Sequence, residues 1–256
     1  ALPISGLERV ISLLETLHIE HKKIPSIHIA GTNGKGSTAA YCASLLQEKG
    51  LRVGLFTSPH IFDFSERIRV NGEPISQAHV IGFCEQYQAL KCQTDASFFE
   101  LTFAMALDYF FKKQCDYIVI ETGLGGRLDA TNIIEPKVSV ITNIAFDHQA
   151  FLGDTLQQIA TEKAGIIKAN TPVVIGEKSD VTQHIFIQKS TAVSAPIYFA
   201  TDLNLNIEAL PVEGYQKQNL QTALLALKLL DFKFDKAHIN AALQHLKQNT
   251  GFFGRF

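Results

Sequence analysis

No stretch of this 256-residue chain runs to the roughly eighteen apolar residues a membrane-crossing helix needs. Its first ten residues lack a basic segment followed by an apolar core, so no secretory signal shows. A leader trimmed ahead of Ala1 would leave no trace. The four cysteines, Cys42, Cys84, Cys92 and Cys115, have no C-x-x-C spacing, which argues against a zinc site or a disulfide framework. They are expected to be buried reduced thiols, as in a cytoplasmic protein. Excess charge of either sign is also missing. Lysine and arginine number 23 against 25 acidic residues, a net charge of −2, so nothing favours nucleic acid or a membrane surface as partner. There is no internal repeat, low-complexity tract or charged linker. What remains is 46% apolar and 19% charged residues, the composition of a globular protein with ample core material.

The apolar pattern changes period along the chain. Leu7, Val10, Ile11, Leu14 and Leu17 recur at helical spacing. Short apolar runs at residues 26–30, 52–57, 117–121, 138–142, 172–175 and 196–199 read as strands. Those at 117–121 and 138–142 are almost continuously apolar, as strands covered on both faces must be. Helical patterns separate them, near residues 37–49, 80–87, 99–110, 155–166 and 181–190. Two more close the chain, one around Leu220–Leu227 and one over 235–248. Strands alternating with helices predict an α/β fold, a mostly parallel β-sheet covered by helices on both faces. In such sheets ligands bind beyond the carboxyl ends of the strands. One sheet-centred domain over residues 1–256 is the economical expectation.

One loop at such a strand end carries the chemistry. Residues 27–38 read IHIAGTNGKGST, an apolar run feeding glycines, a lysine and hydroxyls, then an alanine-rich helix. Gly31, Gly34 and Gly36 let the backbone approach phosphates. Thr32 and Asn33 complete the loop, and the helix start offers unpaired N–H groups to an anion. Lys35 supplies a point charge, and Ser37 or Thr38 a hydroxyl suited to Mg²⁺. The spacing is not the common G-x-x-x-x-G-K-[ST], because Gly36 stands where that loop has its hydroxyl. A tight strand-to-helix turn with an exposed lysine is the plainer alternative.

Residues 31–37, GTNGKGS, resemble the nucleotide loop of the Mur ligase superfamily, and glycine after the lysine resembles its folylpolyglutamate synthase and dihydrofolate synthase branch. Further matches follow in the same order: TSPHIFDFSERIRVNGEPIS at 57–76, VIETGLGGRLDATNII at 119–134, DHQAFLGDTLQQIATEKAGIIK at 147–168, and GFFGRF at 251–256. The resemblance implies an ATP-dependent ligase. ATP would phosphorylate a carboxylate of a reduced folate or of dihydropteroate, and the amine of L-glutamate would displace the phosphate. It implies ATP and Mg²⁺ as cofactors, small-molecule partners and a monomer. It also implies a C-terminal Rossmann-like domain with a D-G-A-H-N-P motif, absent from this sequence. The expectation is therefore the ATPase domain of a two-domain ligase, slow in turnover by itself because such ligases act by domain closure. A non-catalytic MgATP-binding module and a sibling cell-wall Mur ligase are the alternatives.

The resemblance also assigns residues. Glu121 closes an apolar strand and would be a magnesium ligand with Ser37; from its residues alone it is a carboxylate beside a glycine-rich turn. His148, otherwise an ordinary loop histidine, would bind magnesium, with Asp147 orienting it. Lys163, otherwise a helix lysine beside Glu162, would be carbamylated, its added carboxylate helping to hold a second Mg²⁺. Gln216 and Asn219 would read the adenine edge, and Arg255 would approach the nucleotide, although Phe253 replaces the family's proline there. Ser58, His60 and Arg67 or Arg69 would face the carboxylated substrate, where a turn and hairpin explain the same letters. Lys35, Lys163 and His148 are the expected catalytic residues.

Overall fold

The computed structural model describes residues 6–90, 95–202 and 210–252. The chain opens with α1 (Glu8–Thr16), β1 (Ser26–Ala30), α2 (Lys35–Gln47) and β2 (Val53–Phe56). A hairpin of β3 (Ile68–Val70) and β4 (Glu73–Pro74) follows, then α3 (Gln77–Ala89), α4 (Phe98–Lys112) and β5 (Tyr117–Glu121). Next come β6 (Val138–Ile141), α5 (Gln149–Leu152), α6 (Leu156–Ala164), β7 (Val173–Ile175), α7 (Gln183–Ala192) and β8 (Ile197–Phe199). Three helices close it: α8 (Tyr215–Lys228), α9 (Lys236–Gln244) and α10 (Leu246–Thr250).

Among the described residues these strands form one sheet in the order β4-β3-β2-β5-β1-β6-β7-β8. From β2 through β5, β1, β6 and β7 to β8 every pairing is parallel, while at the other edge β3 pairs antiparallel with both β2 and β4. Alternation along the strands sends side chains to opposite faces. Ile27, Ile29, Val119 and Val140 pack beneath α2, α8 and α9. On the opposite face, Phe56, Ile118 and Ile120 meet α1 and α4, while Ala30, Ile141 and Ile175 meet α6 and α7. The mostly parallel sheet with helices on both faces is therefore as the sequence predicts.

The differences are local. The pattern over residues 235–248 reads as one helix but breaks at His245 into α9 and α10. Cys42 and Cys115 are buried as expected; Cys84 is exposed, on the outer side of α3, and Cys92 lies outside the described residues. No helix among the described residues is long and apolar enough to cross a membrane.

The fold places β1 at the centre, with β5 on one side and β6 on the other. Register pairs Ile29 with Glu121 and Ala30 with Ile141, so the loops leaving these three strands emerge side by side.

Candidate nucleotide and acceptor site

The loop after β1 is built by its neighbour after β6. The Thr32 backbone N–H donates to Asn143 O at 3.0 Å, and the Asn33 N–H to the Asn143 side-chain oxygen at 2.8 Å. Thr142 Oγ1 donates to Asn33 O at 2.6 Å, and Thr32 Oγ1 donates to Ala145 O at 3.1 Å. Gly31 has to be glycine. Its φ is +148°, and a Cβ there would lie 1.8 Å from Thr142 Oγ1. Gly34, at φ 78°, starts α2, whose first turn holds Lys35, Gly36 and Ser37. Thr38 is fully buried beneath that turn.

Above the loop opens a cleft of about 490 Å³, walled by residues 32–37, Glu121, Thr142, Asn143, Tyr215, Gln218, Asn219 and Phe252. It lies beyond the carboxyl ends of β1, β5 and β6, at the helix start where an anion is favoured. Ser37 and Glu121 share its wall, and Glu121 Oε2 accepts from the Ser58 N–H at 3.1 Å. A Cβ at Gly36 would stand 3.6 Å from Glu121 Oε2, so any longer side chain would fill the space before the carboxylate. This hydroxyl-and-carboxylate set suits Mg²⁺, which typically takes few protein oxygens and completes its shell with phosphate and water.

Two lysines converge on one atom. Lys35 Nζ donates to Gly31 O at 3.0 Å and Lys163 Nζ donates to the same oxygen at 2.8 Å. Lys163 is 3% exposed, held on α6 by the Thr155–Gln158 capping box and the burial of Ile159 and Ala160. Burial, reinforced by the Lys35 charge, pulls its amine down to about 8; Asp147 and Asp129 act in the opposite sense. The sequence pattern placed Lys163 on a helix face, but its burial against the phosphate loop is a tertiary result.

Other expected site residues are placed differently. His148 is exposed, in the left-handed region at φ 47°, with Nε2 3.6 Å from Asp147 Oδ1. No group of three or more His, Cys, Asp or Glu side chains among the described residues is arranged to hold a metal. Gln216 does not itself wall the cleft and joins a network between α2 and α8 just behind it. Its Oε1 accepts from Tyr41 Oη and Asn219 Nδ2, both at 3.2 Å, and its Nε2 lies 3.4 Å from Ser37 Oγ. Asn219 does reach the wall, together with Tyr215 and Gln218. Arg255 lies outside the described residues.

In the segment after β2, Ser58 is buried beside Glu121, while Arg67 Nε donates to His60 Nδ1 at 2.8 Å and its guanidinium lies over the Phe98 ring. Arg69 and Glu66, not Arg67, line a small side recess of about 50 Å³ that shares Gly36, Glu121 and Phe252 with the main cleft. Glu66 shapes this segment by accepting from the N–H groups of Ile61, Phe62 and Asp63.

A second cavity, about 470 Å³, lies on the far side of the glycine-rich loop that leaves Glu121. Phe99, Leu124, Ala130 and Leu152 give it apolar walls, and Arg9, Glu100 and Arg127 give it charged ones. The sequence reading missed this cavity, along with Tyr215 and Asp129. Asp129 was visible only as the last letter of a glycine motif; the cavity is lined by segments as far apart as Arg9 and Glu162 and leaves no local signal.

The sequence profile of the Mur ligase middle domain matches residues 29–241. The dihydrofolate synthase/folylpolyglutamate synthase of Bacillus subtilis is 39% identical over 266 residues, covering 92% of this chain and 61% of that protein. The solved structure of E. coli FolC in complex with DHPP and ADP superposes with a TM-score of 0.83 at 31% identity, covering 93% of this chain and 60% of that one. A bifunctional folylpolyglutamate synthase/dihydrofolate synthase from Yersinia pestis, complexed with AMPPNP and Mn ion, gives 0.84 at 32% identity, covering 95% and 63%. The chain thus spans about three fifths of the length of the relatives it matches.

Proposed function

On the premise that this chain belongs to the Mur ligase family, as a carrier of its middle domain, we propose that it binds MgATP and activates a pterin-bearing carboxylate for amide formation with L-glutamate. The observation that carries this reading is the convergence of Lys35 and Lys163 on Gly31 O, at a phosphate-loop cleft whose wall also holds Ser37 and Glu121. Two ammonium groups brought to one carbonyl repel each other, and the arrangement is relieved by an anion. The γ-phosphoryl group of ATP supplies one; a carbamate on Lys163 would supply another. Carbamylation needs a neutral amine, and Lys163, at about 8, presents far more of it near neutrality than an ordinary lysine.

Division of labour follows from position. The phosphate loop and the start of α2 hold the phosphates, and Lys35 screens charge as the phosphoryl group moves. Ser37 and Glu121 would hold Mg²⁺, which neutralises the charge of the phosphates. His148 would join them through a ligand rather than through a prebuilt cluster. Tyr215 offers an aromatic face, and Gln218 and Asn219 offer amides, to the base. The Phe99-walled cavity suits a flat heterocycle, and Ser58, beside Glu121, with the His60–Arg67 pair would contact its carboxylated tail. Carboxylate attack on the γ-phosphorus gives an acyl phosphate and ADP; the amine of glutamate then attacks the carbonyl carbon and inorganic phosphate leaves.

We further infer a monomer acting on small molecules in the cytoplasm. The near-neutral charge balance supports small-molecule partners over nucleic acid, as does the parallel of the relatives' ligands. The test is calorimetry of MgATP on this chain and on Lys35→Ala, followed by ADP release with dihydropteroate or tetrahydrofolate plus L-glutamate. Binding should weaken at least about tenfold in the variant, or about 1.4 kcal/mol. Wild-type chain that does not bind MgATP refutes the reading. Binding with no acceptor-dependent turnover leaves a non-catalytic MgATP module.

A further inference from the structure

β1 carries a histidine where its neighbours are aliphatic. His28 is fully buried at the middle of the central strand, in register with Ile120 on one side and Ser139 on the other. Its side chain leaves the sheet on the face away from α2. There Nε2 lies 2.8 Å from Thr131 Oγ1, 103 residues on in sequence. Thr131 Oγ1 in turn donates to Asp129 Oδ1, which also accepts from the Thr131 N–H at 3.0 Å. The other oxygen, Asp129 Oδ2, accepts from the N–H groups of Gly123 at 2.9 Å and Leu124 at 2.8 Å.

An ionised Asp129 sets the direction of this chain. Its carboxylate is acceptor-only, three of its four donors are backbone N–H groups, and the Thr131 hydroxyl is the fourth. Burial raises the Asp129 carboxyl from its ordinary range, and the hydrogen bonds from Thr131, Leu124 and Gly123 act against that rise. The single hydroxyl proton of Thr131 points at Asp129, so its oxygen accepts from His28, and the ring carries its proton on Nε2. His28 Nδ1 has no hydrogen-bond partner. Burial, with Lys168 adding to it, drives the ring pKa down to about 3, so the imidazole is neutral.

A polar side chain in the middle of a central strand, with one ring nitrogen unsatisfied, costs stability that a valine or isoleucine would not. The other end of the relay shows what it organises. Asp129 anchors the first two residues of the loop leaving Glu121 and Thr122, and that loop is a wall of the Phe99 cavity. Asp129 itself lines the cavity, and with its four acceptor positions filled from within the chain it shapes the cavity chiefly through the loop it holds.

We propose that His28 is a positioning residue for the acceptor. By donating from Nε2 to Thr131 it fixes the hydroxyl on Asp129, and thereby the course of residues 123–129 along the heterocycle cavity. This rests on the reading of that cavity as the acceptor site, and it extends that reading to a strand residue that touches neither ligand. Because β1 runs directly into the phosphate loop, the same strand bears both substrates, but only the acceptor side depends on the imidazole.

The test compares His28→Leu, which keeps bulk and removes the donor, with His28→Gln, whose amide can donate to Thr131. Dihydropteroate and MgATP are titrated separately into each. His28→Leu should weaken dihydropteroate binding about tenfold with MgATP affinity changed less than about twofold, and His28→Gln should recover most of the loss. Equal losses for both ligands, no loss in His28→Leu, or no recovery in His28→Gln would overturn the proposal. Amide hydrogen exchange at Gly123 and Leu124 provides a readout without ligand. It should accelerate in His28→Leu and return toward wild type in His28→Gln; unchanged exchange in His28→Leu also overturns it. Should wild-type chain take no dihydropteroate, the cavity assignment fails, and the exchange pattern still decides whether His28 holds the loop.

Discussion

Replacing Lys163 by methionine isolates the cost of burying its charge. The side chain is 3% exposed and shares Gly31 O with Lys35. Its amine falls from 10.5 to about 8, through burial first and the Lys35 charge second. That difference corresponds to about 3 kcal/mol against the charged form. Below about pH 8 the lysine is protonated whether the chain is folded or unfolded, and the folded state bears the whole penalty. Between about pH 8 and pH 10.5 the unfolded chain binds a proton that the folded chain does not, so stability from this group rises with pH across that window. Methionine has similar length and nothing to titrate. The stability of wild type relative to Lys163→Met should therefore improve by about 2.5 kcal/mol from about pH 7 to pH 10. Urea denaturation of both proteins at about four pH values measures this, and the subtraction removes groups they share. A difference that stays flat within about 0.5 kcal/mol would refute the buried, neutralisable amine. The same property has a chemical readout. Near pH 7.4 about one lysine in five would be neutral at this pKa, against fewer than about one in a thousand at the ordinary value. Isotope-labelled bicarbonate should give a carbamate signal that Lys163→Met lacks.

Three further outcomes are expected. Glu121→Gln should keep ATP binding but lose its enhancement by Mg²⁺, about tenfold, in paired titrations with and without the metal. Enhancement that persists would place the metal elsewhere. Gly31→Ala should destabilise the chain by more than about 2 kcal/mol, because the left-handed side of the backbone map and the Thr142 hydroxyl both exclude a Cβ. A melting temperature within about two degrees of wild type would contradict that geometry. Phe103→Ala should cost about 3–5 kcal/mol in denaturant, since Phe103 is fully buried and its ring packs 5.3 Å from that of Phe56. A loss below about 1 kcal/mol would mean the cavity collapses freely.

Much of the molecule was legible before any coordinates. The proposed phosphate loop could be read because all its parts are adjacent: the glycines, Lys35 and Ser37 lie within one strand-to-helix turn, and local backbone geometry needs those residue types. Strands β5 and β6 announced themselves as continuous apolar runs because both faces of a central parallel strand are covered. Glu121 stood out as a charge ending such a run. The β3–β4 hairpin was less legible. Its strands are three and two residues long, too short to establish a period of two. The break at His245 was invisible for a related reason: apolar spacing continues through it, while the chain path changes.

The sequence by itself determined the alternation of strands and helices, the strand-to-helix turn proposed to hold phosphate, and the family. Each is encoded by neighbouring residues, through backbone conformation and side-chain period. Tertiary structure alone decided which distant groups share an atom or a cavity. It brought Lys163 to the carbonyl that Lys35 reaches, set Gln216 between Tyr41, Asn219 and Ser37, and left His148 exposed. It also joined His28 to a loop a hundred residues away. Such meetings depend on strand order and on how helices settle across the sheet. A charge or hydrogen bond is worth most where water is excluded, and exclusion of water is a property of the packed chain, not of any segment.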